Sequence, residues 1–239
     1  MELPPKEIHV WYCDINQTLD SGSYLGLLSE NELDRLKKYR FPLDRKMYGT
    51  ARYVLKTLLG DYLNIRPPEI TFLYGEHGKP EYVHPQNIQF NISHSQDILV
   101  LAFVKDHAIG IDIEKITKEV RVAEIAKNFF SPDEITALMS LPKDSRHKAF
   151  YRCWTRKEAF IKAKGSGLSF PLDAFTVSLD TDEDAQILKT DWNTSERLHW
   201  NLLSFKPYPG YLGAVSVNGN FESVKYLDWN ALESTYRPG

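Results

Sequence analysis

An order of elements that runs twice along the chain constrains the fold most. Ile8 to Ile15 alternate and are rich in β-branched and aromatic types, the pattern of a strand. Ser29 and Glu32 form a capping-box pair that opens a helix through about Arg40. Pro42 interrupts. A second helix, over 45–63, then puts Met47, Ala51, Leu55, Leu58, Leu59 and Tyr62 on one face. Short strands are predicted at Ile70–Tyr74, Ile88–Ile92 and Ile98–Val104, with Gly75, Gly78 and Pro80 as turn residues. The second pass starts with a strand at Ala108–Glu114 and a helix near Val122–Phe130. Ser131 and Glu134 form another capping box, with Pro132 at the favoured first helical position. A long helix from about Ser145 to Lys164 stops at Gly165 and Gly167. Strands at Phe175–Leu179, His199–Phe205 and Tyr211–Val217 close the half, and the polar stretch 181–197 reads as a surface loop. The order repeats although the residues barely do. It describes an α/β (α+β) chain of two similar lobes, 1–105 and 106–239, joined by a short linker near Lys105–His107.

Composition narrows the function. The 239 residues carry a formal net charge of -3, so no global basic field recruits nucleic acid. The N-terminus lacks the basic and apolar regions of a secretory signal. Its longest apolar run, Ile98 to Val104, is far short of a membrane span. Cys13 and Cys153 alone make neither a disulfide framework nor a zinc site. A soluble cytoplasmic protein is expected.

Chemistry-bearing residues cluster in a few places. In Gly110-Ile111-Asp112-Ile113-Glu114, strand geometry points Asp112 and Glu114 to one face. Their repulsion would be relieved by a hard cation such as Mg²⁺. Two solvated surface acids are the plain alternative. In Trp154-Thr155-Arg156-Lys157-Glu158-Ala159-Phe160-Ile161-Lys162, Glu158 falls in an apolar row with Phe150, Trp154 and Ile161. A buried carboxylate needs a partner, either a metal or Lys162 one turn on. Lys157, Lys162 and Lys164 gather near one helix end, which suits phosphate or plain solvation. In Phe90-Asn91-Ile92-Ser93-His94-Ser95 a strand ends and Ser93 and His94 sit on a turn. They could donate to a phosphate or simply cap the turn, and no nucleophile elbow surrounds either serine. Tyr74-Gly75-Glu76-His77-Gly78-Lys79-Pro80 projects Lys79 from a tight turn that any hairpin could contain. Arg35, Lys37, Lys38, Arg40, Arg45, Lys46, Arg52 and Lys56 stud the first helices, chiefly as solvated faces. There is no Walker loop and no G-x-G-x-x-G, so any phosphate must be held by side chains and a metal.

Taken in order, four of these segments resemble the 4′-phosphopantetheinyl transferases of the larger type, which activate carrier domains of fatty acid, polyketide and nonribosomal peptide synthesis. The matching stretches are Gly78-Lys79-Pro80, Asn91-Ile92-Ser93-His94-Ser95, Gly110-Ile111-Asp112-Ile113-Glu114, and Trp154 through Lys162. The resemblance implies two α/β lobes related by a pseudo-twofold axis, an active site between them, and a monomer. It implies coenzyme A as donor and a serine of an acyl or peptidyl carrier as acceptor. It implies Mg²⁺ on Asp112, Glu114 and Glu158, with Glu158 also the general base and Lys162 on the pyrophosphate. Lys79, Ser93 and His94, together with Arg52 and Lys37, are expected at the nucleotide end. An acceptor surface is expected near Phe129, Phe130 and Met139. A metal-dependent phosphohydrolase and a non-enzymatic carrier-binding module are the rival readings. The intact acids and Lys162 argue against a relict site.

Overall fold

Alternation at the N-terminus becomes β1 (Glu7–Asp14), followed by α1 (Gly22–Leu25), α2 (Glu30–Lys38), α3 (Pro42–Leu63), β2 (Leu73–Tyr74), β3 (Pro80–Glu81), β4 (Ile88–Ser95) and β5 (Ile98–Lys105). The chain continues as β6 (Ile109–Lys115), α4 (Val122–Phe129), α5 (Pro132–Ser140), α6 (Lys143–Lys164), β7 (Phe175–Val177), β8 (Ile187–Thr190), β9 (Trp200–Phe205) and β10 (Tyr211–Asn218). It ends with β11 (Ser223–Asp228) and α7 (Trp229–Glu233). The computed structural model describes residues 1–18, 22–75 and 78–234. These divide into two compact units, Met1–Asp106 with the chain from Glu222 onward, and His107–Phe221. No helix among the described residues is long and apolar enough to cross a membrane.

The first unit is a sheet ordered β11-β1-β5-β4. β1 runs parallel to β11, with Glu7 beside Ser223, and antiparallel to β5, with His9 beside Phe103. Leu55, Leu58 and Leu59 of α3 share a core with Trp11, Phe103 and Trp229. The sequence pattern assigns residues 106–239 to the second lobe. Strand pairing instead draws Glu222 onward back to the first unit, because β11 completes that unit's sheet edge. Trp229 is fully buried there. Pro42 opens α3 rather than interrupting a helix; its missing N–H and fixed φ suit the first helical position. The Ser29–Glu32 capping box forms with both of its reciprocal hydrogen bonds.

In the second unit, β6-β10-β9 form an antiparallel sheet with Asp112 opposite Ala214 and Glu114 opposite Leu212. Helix α6 lies against β6 and β10 and is buried on most of its circumference. The expected 181–197 loop contains β8, which pairs with β7. Both cysteines are free and buried.

Gly110 sets how close α6 comes to β6. A Cβ at 110 would collide with the backbone of the helix at Ala159 O and Ala163 N. Neither obstacle can rotate away, since both are main chain. Gly110→Ala is therefore expected to push α6 off the sheet and to lower stability by roughly 3 kcal/mol. Urea unfolding of the variant checks this, and an unchanged midpoint would contradict the contact.

Candidate functional site

The close approach at Gly110 brings the polar side of α6 over Asp112. Lys162 Nζ reaches Asp112 Oδ1 at 2.6 Å. Asp112 is only 4% exposed, although it lies on a strand that an acid would ordinarily avoid. Ile111 and Ile113 on the opposite face are fully buried, so β6 is covered on both sides. This removes the reading of Asp112 as a surface acid. Glu114 follows on the same face, half-buried.

Glu158 is 9% exposed. Its Oε1 is buried and has no hydrogen-bond donor among the described residues. Burial pushes its carboxyl up to about 7, the charges of Asp112 and Glu114 push the same way, and Lys162 opposes them. Three acids and one lysine thus act on one another at this spot. Among the described residues, no three His, Cys, Asp or Glu side chains form a ready-made metal cage. That arrangement still fits Mg²⁺, which is commonly held by one or two carboxylates and completed by substrate oxygens and water. Asp112 and Glu158 are the donors best placed for it, with Glu114 beside them.

Three lysines in the second half of α6 do three different things. Lys162 faces Asp112. Lys157 is fully buried and pairs with Glu134 at 2.9 Å. Lys164 pairs with Glu196 and lies over the rings of Phe160, Phe170 and Trp192. Spacing along the helix could not separate them, because their acidic partners, Asp112 of β6, Glu134 of α5 and Glu196, come from different parts of the chain.

In the first unit, β4 runs through Ser95, so Ser93 and His94 lie within a strand and not on a turn. Consecutive strand residues face opposite sides of the sheet. Ser93 is buried and His94 exposed. Lys79 is half-buried in the β2–β3 hairpin, and burial lowers its ammonium pKa. Glu76 and His77 lie outside the described residues. Lys37 is exposed and pairs with Asp34 of its own helix at 2.9 Å.

Arg52 is buried, 3.9 Å from Glu32, with its guanidinium 5.3 Å from the Tyr48 and Phe72 ring centres and 5.6 Å from that of Tyr74. Arg35, grouped from sequence with the solvated cations, lies above the same rings, 5.6 Å from Tyr48 and 6.0 Å from Tyr74. Its signal was weak: one basic residue in a basic helix, with the aromatic partners far away in sequence. Phe130, expected at an acceptor surface, is 2% exposed and stacks on Phe150 in the core, whereas Phe129 is 41% exposed. Phe130 directly precedes the capping residue Ser131, and the chain entering α5 carries its ring inward.

Residues 108–216 match the 4′-phosphopantetheinyl transferase superfamily pattern, and residues 19–105 match the N-terminal pattern of 4′-phosphopantetheinyl transferases. The chain is 33% identical to the 4′-phosphopantetheinyl transferase HetI of a Nostoc species over 89% of this chain and 88% of that one. It is 37% identical to the 4′-phosphopantetheinyl transferase ffp of Bacillus subtilis, over 86% of this chain and 95% of that one. With the 4′-phosphopantetheinyl transferase Sfp of Bacillus subtilis strain 168 it shares 36% identity, over 79% of this chain and 86% of that one. Similarity at this level, spanning both units, shows that the chain belongs to the 4′-phosphopantetheinyl transferase family.

Proposed function

We propose that this chain transfers the 4′-phosphopantetheine group of coenzyme A to a serine hydroxyl of an apo acyl or peptidyl carrier protein, with Mg²⁺ bound at Asp112 and Glu158 and with Glu114 beside them. The observation that carries this reading is Glu158, a buried carboxylate whose Oε1 has no hydrogen-bond donor among the described residues. Such a group is costly unless something binds it.

A divalent ion held there would neutralise charge on the pyrophosphate as its bond breaks. The rest of the chemistry belongs to the side chains. Glu158, buried beside Asp112 and Lys162, is the carboxylate proposed as the general base. It would take the serine proton as the serine oxygen bonds to the β-phosphorus. The phosphorus–oxygen bond to the nucleotide then breaks, and adenosine 3′,5′-bisphosphate leaves with the bonding electrons. Lys162 is held at Asp112 but remains 28% exposed, so it can also meet an incoming phosphate oxygen. At the nucleotide end, Lys79, Ser93 and His94 remain candidates. Arg35 joins them as the more accessible guanidinium of the aromatic cluster, with Arg52 beneath it. Lys37 has the weakest support, since its ammonium is paired within its own helix.

Mass spectrometry of apo carriers incubated with the protein, coenzyme A and Mg²⁺ tests the reaction. Transfer adds one phosphopantetheine to the carrier, whereas a phosphohydrolase would release phosphate and leave the carrier mass unchanged. Asp112→Ala and Glu158→Ala are expected to keep a cooperative melt and to lose transfer by about a thousandfold or more. Lys162→Ala is expected to lower kcat more than it lowers the melting temperature. Wild-type rates in any of these variants would remove that residue from the site.

The metal-free protein should also show the cost of Glu158. A carboxyl whose pKa is raised on folding contributes stability that is complete below its ordinary value of 4.5 and lost as pH rises through about 7. Between pH 5 and pH 8 in chelator, wild type should lose on the order of 2 kcal/mol more than Glu158→Gln does. Paired urea titrations at the two pH values measure this, and parallel losses in both proteins would show that Glu158 is not burdened by its surroundings.

A further inference from the structure

Two cations come immediately before Glu158 on α6, and both are fully buried. Lys157 Nζ donates to Leu172 O at 2.7 Å and Phe175 O at 2.6 Å, and meets Glu134 Oε2 at 2.9 Å. An ammonium has three donors, and these three partners use all of them. Lys157 therefore has nothing left to offer a phosphate, although it sits in the lysine-rich stretch that suits phosphate or plain solvation.

Glu134 is as fully used. Its Oε1 accepts from Val177 N at 2.7 Å and its Oε2 from Ser131 N at 2.8 Å. Arg156 donates to Ser178 O at 2.6 Å, Thr181 O at 2.7 Å and Ser204 Oγ at 2.9 Å. Neighbouring residues on a helix point about 100° apart. Arg156 and Lys157 thus fasten α6 in two directions to the segment 172–181, and Glu158 points in a third.

A buried ion pair gains little over an apolar pair of the same volume. It does discriminate between helix orientations, because a small rotation strands an ammonium, a carboxylate and several backbone groups at once. We propose that the Lys157–Glu134 pair, supported by Arg156, is a positioning device that fixes the rotation of α6 so that Glu158 and Lys162 face Asp112. Lys157 and Glu134 are positioning residues that never touch substrate. This rests on the transferase reading above.

Lys157→Met and Glu134→Gln test it, with Trp229→Phe in the first unit's core as a stability control. All are assayed well below their melting temperatures, in the same carrier assay as wild type. In both network variants kcat is expected to fall about 10- to 100-fold while KM for the carrier moves less than about twofold. Calorimetric titration with Mg²⁺ and no turnover should show weaker binding by a similar factor in both, and wild-type binding in the control. Glu134→Gln keeps the side-chain shape and carries the test if Lys157→Met fails to fold. Wild-type kcat and Mg²⁺ binding in a folded variant would overturn the proposal and leave the pair a stability element. Failure of both variants to fold would overturn it equally. If the wild type itself modifies no carrier, the transferase reading fails instead, and the Mg²⁺ titration still decides whether the pair orients Glu158.

Discussion

The contact of α6 with β6 at Gly110 underlies the arrangement of the second unit. A side chain there would run into main-chain atoms of the helix at Ala159, the residue after Glu158, and at Ala163. Without one, strand and helix approach closely enough for Lys162 to reach Asp112. The same approach buries Glu158 beside two other acids. Backbone packing, not side-chain chemistry, is thus the first requirement of the site. A glycine two residues before the first acid is part of the chemistry because it sets a distance.

Three consecutive buried charges on α6 are handled in different ways. Arg156 is satisfied by carbonyls and a hydroxyl, and burial lowers its pKa to about 10. Lys157 is satisfied by a carboxylate and two carbonyls. Glu158 keeps a buried oxygen with no donor among the described residues. Beside two fully matched charges on the same helix, Glu158 thus keeps an oxygen open to a ligand. Local rules are broken where function requires it, and stability is lost there for that reason.

Much of this is legible in the sequence. The capping boxes at Ser29 and Ser131 and the row containing Glu158 follow from spacing that any helix imposes. Strand alternation by itself puts Asp112 and Glu114 on one face. What stays hidden depends on distant residues. Local pattern alone assigns no strand to 223–228, and β11 forms because β1 is there to pair with it. Arg35 reads as one more solvated cation, and only the fold brings Tyr48 and Tyr74 beneath its exposed guanidinium. Lys157 and Lys162 are alike in type and both lie on α6, and only Glu134 and Asp112, brought from other elements, tell them apart. The end of β4 is misread for a local reason. Ser and His look like turn residues, yet they continue the ladder opposite Leu99 and Val100.

Under the proposed function, metal and donor would be tied together at this site. Asp112 and Glu158 offer too few oxygens to fill an octahedral shell. Under the proposed function the missing ligands come from the pyrophosphate of coenzyme A. Linkage then requires each to raise the affinity for the other by the same factor. With Asp112 held by Lys162 and a Glu158 oxygen without a donor among the described residues, the proposed site would reach its full charge balance only with both ligands present.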